Sequence, residues 1–301
     1  MADLFKQKWD AFCDNLKDLG SIIESESSLS EIDQAEGYRY LLRLMRLALE
    51  MNLEHSNPTS PSFYNLSHET AKIGADNPDN IYLNANIDGE QAYKIYGNIG
   101  ELDYLSFGIK ENRYSEDGTM ISLGEIDMRD MEIENSGDFI LHLGGAETSK
   151  NYLPMPKSAN MLIVRQTYKN RIKQTHAKIN IKNLDSKPIP EILTTEKLEN
   201  QLNQTLAFVS GTASTFLKWV NEFKLNHKNS LPLGDQSFFQ AAGGDPKICY
   251  LHGYYDFLSH DHVSAHANVH GGGQDDYTCY DRFFYYCHIN QTTYHETKIY
   301  R

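Results

Sequence analysis

Four oxygen-bearing side chains crowd into one short stretch of the chain. In GADNPDNIYLNANIDG, residues 74–89, Asp76, Asn77, Asp79 and Asn80 surround Pro78. Such a cluster could hold a hard cation, grip a polar substrate, or fix a turn ahead of a strand. A calcium loop of the helix–loop–helix type needs oxygen ligands at positions 1, 3 and 5, glycine at 6 and glutamate at 12. Counted from Asp76, position 3 is Pro78 and position 6 is Ile81, so the pattern fails. Asp and Asn side chains bond nearby backbone amides readily, and proline presets a turn. The expectation is a rigid turn in which Asp76 and Asp79 bond local amides, with a ligand-facing loop as the functional alternative. Just beyond it, Asn84 and Asn86 lie opposite Ile81, Leu83 and Ala85. They become ligand contacts if that face is concave and enclosed, and are solvated otherwise.

Arg165 sits inside the apolar run MLIVRQTY. Period-2 alternation puts it on one face with Met161 and Ile163, the side expected to be buried. A buried guanidinium needs a carboxylate or several carbonyls, unless it meets an anionic ligand group. Arg165 is therefore the foremost single candidate for a ligand anchor, against a structural ion pair. His252, in YLHGYYDF, is by default a core histidine and is kept as a ligand candidate. The tail adds His260, His262, His266 and His270, whose imidazoles suit zinc or copper. Their spacing fits no compact finger, so no metal and no other cofactor is expected. The chain has no GxSxG elbow, no phosphate loop and no HExxH.

The elements that must position these residues follow from periodicity. Leu4, Phe5, Trp9, Phe12, Leu16 and Leu19 share a helical face, and a second helix starts near Ser30, with Asp33 placed to complete a capping box. From about residue 80 the period changes to 2, and short strands follow with Gly, Asn, Asp or Pro between most of them. Asp88-Gly89 supplies the turn chemistry of a hairpin joining the first two strands, and 131–135 reads as a further strand. Leu198, Leu202, Leu206, Val209, Ala213, Phe216, Val220 and Phe223 step by three or four and predict a helix over 195–227. The expected fold is mainly β with helical additions: an antiparallel, jelly-roll-like β-sandwich, an N-terminal helical pair and one long amphipathic helix. The expected division is a helical region 1–60, a sandwich body 61–257 and a His/Tyr-rich tail 258–301.

Three segments together, EGYRYLLRLMRLALEM (36–51), KIGADNPDNIYLNANIDGEQAYKIYGNIGELDYLSFGI (72–109) and NYLPMPKSANMLIVRQTY (151–168), resemble the bacterial family catalogued as "domain of unknown function 1214". The resemblance spans roughly residues 30–257. It implies a jelly-roll-like sandwich with helices, and no agreed reaction. Beyond about residue 257 the chain departs from the family's pattern.

Composition narrows the function. The chain has 301 residues, 40 % of them hydrophobic and 23 % charged, so a packed core is expected. Its 41 acidic against 28 basic residues give a net charge of −13. Such a surface repels phosphate backbones unless the basic residues segregate on one face. The most basic stretch, 169–187, reads as a strand with a solvated lysine face, and nucleic acid is not expected as a partner. No apolar run approaches the length of a membrane span, and scattered cysteines without a secretory leader suggest a cytoplasmic protein. The leading expectation is a protein that binds a small organic ligand, anionic or apolar, with catalysis left open. The alternatives are a non-catalytic interaction or assembly module, including a homo-oligomer, and a metal-dependent enzyme using the tail histidines.

Overall fold

A computed structural model of the chain describes residues 2–25, 30–74, 76–77, 79–147, 149–185, 192–230, 232–246 and 250–254, together with the backbone of three strands between 263 and 288. It divides into two compact units, Met1–Ser214 and Thr215–Arg301.

The first unit opens with α1 (Ala2–Asp18), α2 (Ser21–Glu24) and α3 (Glu31–Leu49), the last closing in a π-helical turn at Glu50–Glu54. The capping box at Ser30 and Asp33 forms as the sequence predicts: the Ser30 hydroxyl accepts from the Asp33 amide, and the Asp33 carboxylate accepts from Ser30. α3 buries Leu41, Leu44, Met45, Leu47 and Ala48. Eight strands follow: β1 (Asn80–Asn86), β2 (Tyr93–Asn98), β3 (Tyr104–Arg113), β4 (Thr119–Asp127), β5 (Asp138–Leu143), β6 (Tyr152–Leu153), β7 (Met161–Thr167) and β8 (Lys178–Asn183). They form two four-stranded sheets, ordered β1-β7-β3-β4 and β6-β5-β2-β8. All pairings are antiparallel except β5 with β6. The core packs Leu105, Phe107, Ile109, Leu162 and Val164 of the first sheet with Tyr93, Ile95, Phe139, Leu141 and Leu143 of the second. Fully burying a side chain of this size contributes about 1.5–3 kcal/mol, so this cluster is the main cohesive element of the sandwich. The mainly-β architecture with helical additions is as expected.

Two local expectations are corrected. Asp88-Gly89 does not close a hairpin, because β1 pairs with β7 in one sheet while β2 pairs with β5 and β8 in the other. After β1 the backbone stays bonded to the segment before β7, from Ile87 N–H to Asn160 O (3.1 Å) and from Gly89 N–H to Ala159 O (2.9 Å). A Cβ on Gly89 would lie 2.2 Å from the Pro156 carbonyl oxygen, so glycine is needed for close approach rather than for a two-residue turn. Residues 131–135 are not a strand either. The Asn151 side chain bonds the Glu132 amide and the carbonyls of Glu132 and Ile140, taking the place of a ladder partner.

α4 (Thr195–Asn226) is the predicted long helix. Its first half belongs to the first unit, where Gln201 donates to Ser56 (3.0 Å), Asn52 to Thr205 (3.3 Å), and Lys8 of α1 pairs with Glu199 (2.6 Å). Gly211 lies against the β3–β4 turn, and a Cβ there would fall 1.7 Å from the Tyr114 carbonyl oxygen.

The second unit holds the rest of α4, α5 (Gln236–Gln240), β9 (Tyr250–Leu251), an antiparallel pair β10 (Val263–Val269) with β11 (Gly273–Cys279), and β12 (Cys287–His288), which pairs with β9. Trp219, Phe223, Phe239 and Tyr250 form an aromatic cluster there around His252.

Candidate functional site: a buried polar sheet face

Cross-strand register puts the chemistry-bearing residues of the first sheet in rows on the face away from the sandwich core. One row runs Tyr82, Arg165, Ser106, Asp127; the next runs Asn84, Ile163, Gly108, Glu125; the third runs Asn86, Met161, Lys110, Ser122. On the opposite face Leu83, Ala85, Leu162, Val164, Phe107 and Ile109 fill the core, as alternation requires. The polar face is nevertheless closed. Lys110 and Asp127 have no solvent exposure, Ser106 has 1 % and Arg165 has 5 %.

At its centre the Glu125 carboxylate is shared. Its Oε1 accepts from the Lys110 ammonium and from the Ser122 hydroxyl (3.3 Å), and lies 3.8 Å from Arg165 Nη1. Lys110 Nζ also donates to Ser122 Oγ (3.1 Å). A β-bulge makes this convergence possible. The β3–β4 register slips between Ile109 and Lys110, so that Ile109 opposes Gly124 while Lys110 opposes Ser122. In a regular strand residues three apart point to opposite faces; the extra residue turns both Ser122 and Glu125 toward Lys110. Gly108 makes the room, because a Cβ there would sit 2.4 Å from the Glu125 carboxylate. Beside this group Asp127 accepts from Arg129 through its amide (2.9 Å), Nε (2.9 Å) and Nη2 (2.8 Å). Those bonds raise the Arg129 pKa further.

Arg165 therefore shares a buried face with Met161 and Ile163, as expected, but that face is not the sandwich interior. β7 is buried on both sides. Asn84 and Asn86 lie on the same enclosed face, where their side chains hold its cover in place. Asn84 Oδ1 accepts from the Leu66 amide (3.3 Å), and Tyr64 and Asn84 bridge through their backbones. Asn86 accepts from the Tyr64 hydroxyl (2.6 Å) and donates to the carbonyls of Met51 (3.2 Å) and His55 (3.0 Å). Burial within this packing pushes the Tyr64 phenol well above its ordinary pKa.

The described residues just ahead of β1 form a turn in which Asp76 and Asn77 bond local amides. Asp76 Oδ2 accepts from the amides of Ile73 (2.9 Å) and Gly74 (3.4 Å), and Asn77 Oδ1 accepts from the Asp79 amide (2.9 Å). The Asp79 carbonyl accepts from Tyr168 (3.1 Å), tying the turn to the end of β7. Burial raises the Asp76 pKa, opposed by Lys72, Ser67 and those two amides. No group of His, Cys, Asp and Glu among the described residues could hold a metal ion. His252 is 1 % exposed, its ring 4.4 Å from that of Phe239, as a core histidine. His260, His262 and His270 lie outside the described residues, as does the side chain of His266 in β10.

Lys110 and Glu125 escape a reading of the sequence. In YLSFGIK the alternation assigns Leu105, Phe107 and Ile109 to the core and leaves Ser106, Gly108 and Lys110 on a face that reads as solvated. The one available signal is Gly108 between Phe107 and Ile109, since glycine inside a strand marks a bulge or a close approach.

No described helix is long and apolar enough to cross a membrane. No family model matches the chain, and no curated protein matches it. Among solved structures, the VPA0106 protein from Vibrio parahaemolyticus is 13 % identical over 42 % of this chain and 31 % of its own, with a TM-score of 0.25, too distant to carry an argument. An uncharacterized protein from Burkholderia cenocepacia is 38 % identical, covering 86 % of this chain and 72 % of its own, with a TM-score of 0.81. At that identity over that span, the chain belongs to the same family as the Burkholderia cenocepacia protein.

Proposed function

We propose that the protein binds a small organic anion on the polar face of its first sheet, with Lys110 and Arg165 as the cationic anchors. The observation that carries this reading is the sharing of one buried carboxylate, Glu125, between those two cations. Stability alone is a poor reason for such a group. Desolvating charges costs several kcal/mol per ion, and an apolar replacement of similar volume is often as stable or more so. Two cations around one carboxylate form a receptor for carboxylate geometry, and Glu125 is the internal anion with which a ligand competes.

The test is Arg165→Met compared with the unaltered protein by native mass spectrometry of protein purified from its own host. An anchoring role predicts loss of a co-purifying anion from a variant that still folds. A purely structural role predicts destabilisation by about 3–5 kcal/mol, the cost of removing one partner of a buried pair. A folded Arg165→Met protein that keeps its ligand removes Arg165 from the site.

One observation favours a second reading, an assembly module. On α1, Trp9 is 59 % exposed, Phe5 45 %, Leu4 42 % and Leu16 38 %, and Phe5, Trp9 and Leu16 fall on one side of the helix. Self-association of the chain through this side would cover them. Sedimentation of the unaltered protein against Trp9→Glu over a concentration series decides it.

A further inference from the structure

The outer face of the second sheet gathers cations that no described residue neutralises by an ion pair. Register sets Tyr152, His142, Lys94 and Lys182 in one row, Ile140, Tyr96 and Asn180 in the next, and Asp138, Asn98 and Lys178 in the third. Nearby cations are matched: Lys150 pairs with Glu132, Lys157 with Glu90, Lys169 with Asp103 and Arg171 with Glu69. Lys94, Lys178 and Lys182 have no ion-pair partner among the described residues. The nearest feature for Lys94 is the Tyr96 ring, 5.4 Å from its Nζ. Asp138, the acid of these rows, is engaged by Asn98 (2.8 Å) and Ser136 (2.9 Å). In a chain with 13 more acidic than basic charges, three unmatched lysines on one face make an island of opposite sign. Within that island Tyr96 is 40 % exposed and Ile140 45 %.

Edge lysines by themselves protect a sheet from pairing with strangers. That explains Lys178 and Lys182 on β8, which has β2 as its neighbour in the sheet. It explains neither Lys94, on the inner strand β2, nor an exposed isoleucine beside it.

We infer that this face docks an acidic polypeptide segment in extended conformation, laid along β8 with its side chains over Lys182, Tyr96 and Lys178. Lys178 and Lys182 are four residues apart, roughly 13 Å along a strand, and side chains at i, i+2 and i+4 of an extended partner point the same way. The matching segment reads acid-x-apolar-x-acid: two carboxylates meet the lysines and the apolar residue covers Tyr96 and Ile140. The segment lies on the outer face, where the lysine rows meet its carboxylates and the Tyr96–Ile140 row meets its apolar residue, and these side-chain contacts supply both affinity and selectivity. Charge complementarity favours a peptide over nucleic acid. A polyphosphate strand meets the repulsion of the whole acidic chain along its length, whereas a segment with two carboxylates engages the island alone. The Lys94 ammonium over the Tyr96 ring also occupies a face on which a base would stack.

The probe is a fluorescein-labelled decapeptide containing Glu-Thr-Leu-Thr-Glu, titrated with the full chain and followed by anisotropy. Saturable binding should weaken as salt rises from about 50 to about 500 mM, because exposed charges are screened over a few ångströms there. It should fall on the order of tenfold or more in Lys94→Glu/Lys182→Glu. Ile140→Asp should weaken it independently, while Lys150→Glu, at a lysine already paired, should leave it unchanged. Circular dichroism melts check that each variant is folded. Absence of saturation by the unaltered protein overturns the proposal, as does equal binding by both the double variant and Ile140→Asp. Tighter binding of a labelled oligothymidylate than of the peptide overturns it in favour of single-stranded nucleic acid.

Discussion

Asp76 shows how one side chain can resemble a ligand and serve as a brace. Its carboxylate accepts two local amides while burial disfavours its charge, and burial is the larger effect. The folded pKa therefore lies above the unfolded one. Whatever the protonated form contributes is present below the ordinary carboxylate range and is lost as pH rises through the folded pKa. Asp76→Asn keeps an acceptor without a charge, so it should melt higher than the unaltered protein at pH 7, with the difference shrinking toward pH 4. Calcium or magnesium should give no saturable calorimetric signal with either protein. A stoichiometric heat abolished by Asp76→Asn would refute the brace. At the polar face, Gly108→Ala drives a methyl group into the Glu125 carboxylate. Overpacking of this kind typically costs about 1–3 kcal/mol, and urea unfolding measures it. The double variant Gly108→Ala/Glu125→Ala should recover most of the clash while leaving Lys110 and Arg165 without their shared anion.

Elements hold one another through a few close approaches. α4 reaches the β3–β4 turn at Gly211, where a Cβ would come within 1.7 Å of a backbone carbonyl that cannot rotate away. In an open helix Gly→Ala stabilises by about 1 kcal/mol. Gly211→Ala should reverse that sign and lower the melting temperature by several degrees, and a neutral or stabilising result would mean the helix does not approach the turn so closely. Leu206 is 8 % exposed on the same helix. Leu206→Asp places a charge where the apolar stripe is covered and should cost several kcal/mol, read as loss of soluble protein or a collapsed denaturation midpoint. A normally melting variant would mean that this stripe is not packed in solution.

At the scale of the whole molecule the two tryptophans report separately. Trp9 is 59 % exposed on α1, while Trp219 is 6 % exposed among Phe216, Phe223, Phe238 and Phe239. Acrylamide quenching should resolve one accessible and one protected population, and Trp9→Phe should leave the protected one alone. If α1 mediates self-association, the accessible fraction should shrink as protein concentration rises. A concentration-independent ratio would argue against that assembly.

The sequence by itself determined the kinds of element and most of their order. The four-and-three stepping from Leu198 to Phe223 can be satisfied only by a helix, Ser30 with Asp33 marks a helix start, and alternation through Ile81, Leu83 and Ala85 marks a strand. It also placed Arg165 on a buried side and favoured turn chemistry at Asp76 over a ligand-facing loop, because both expectations follow from local geometry. What it could not determine is which strands become neighbours. Asp88-Gly89 carries hairpin chemistry, yet β1 and β2 part into different sheets, β1 beside β7 and β2 between β5 and β8, which turn chemistry alone does not specify. Nor could alternation distinguish a solvated face from a covered one: Lys110 and Lys182 both sit on polar faces of strands, and only the layer above the first sheet buries Lys110 completely while Lys182 stays in water. The meeting of Lys110, Glu125 and Arg165 depends on a one-residue bulge between the consecutive strands β3 and β4 and on β7, which is distant in sequence and pairs with β3. Gly108 is the local trace of the bulge, whereas the arrival of Arg165 beside it is a property of long-range register that local patterns do not encode.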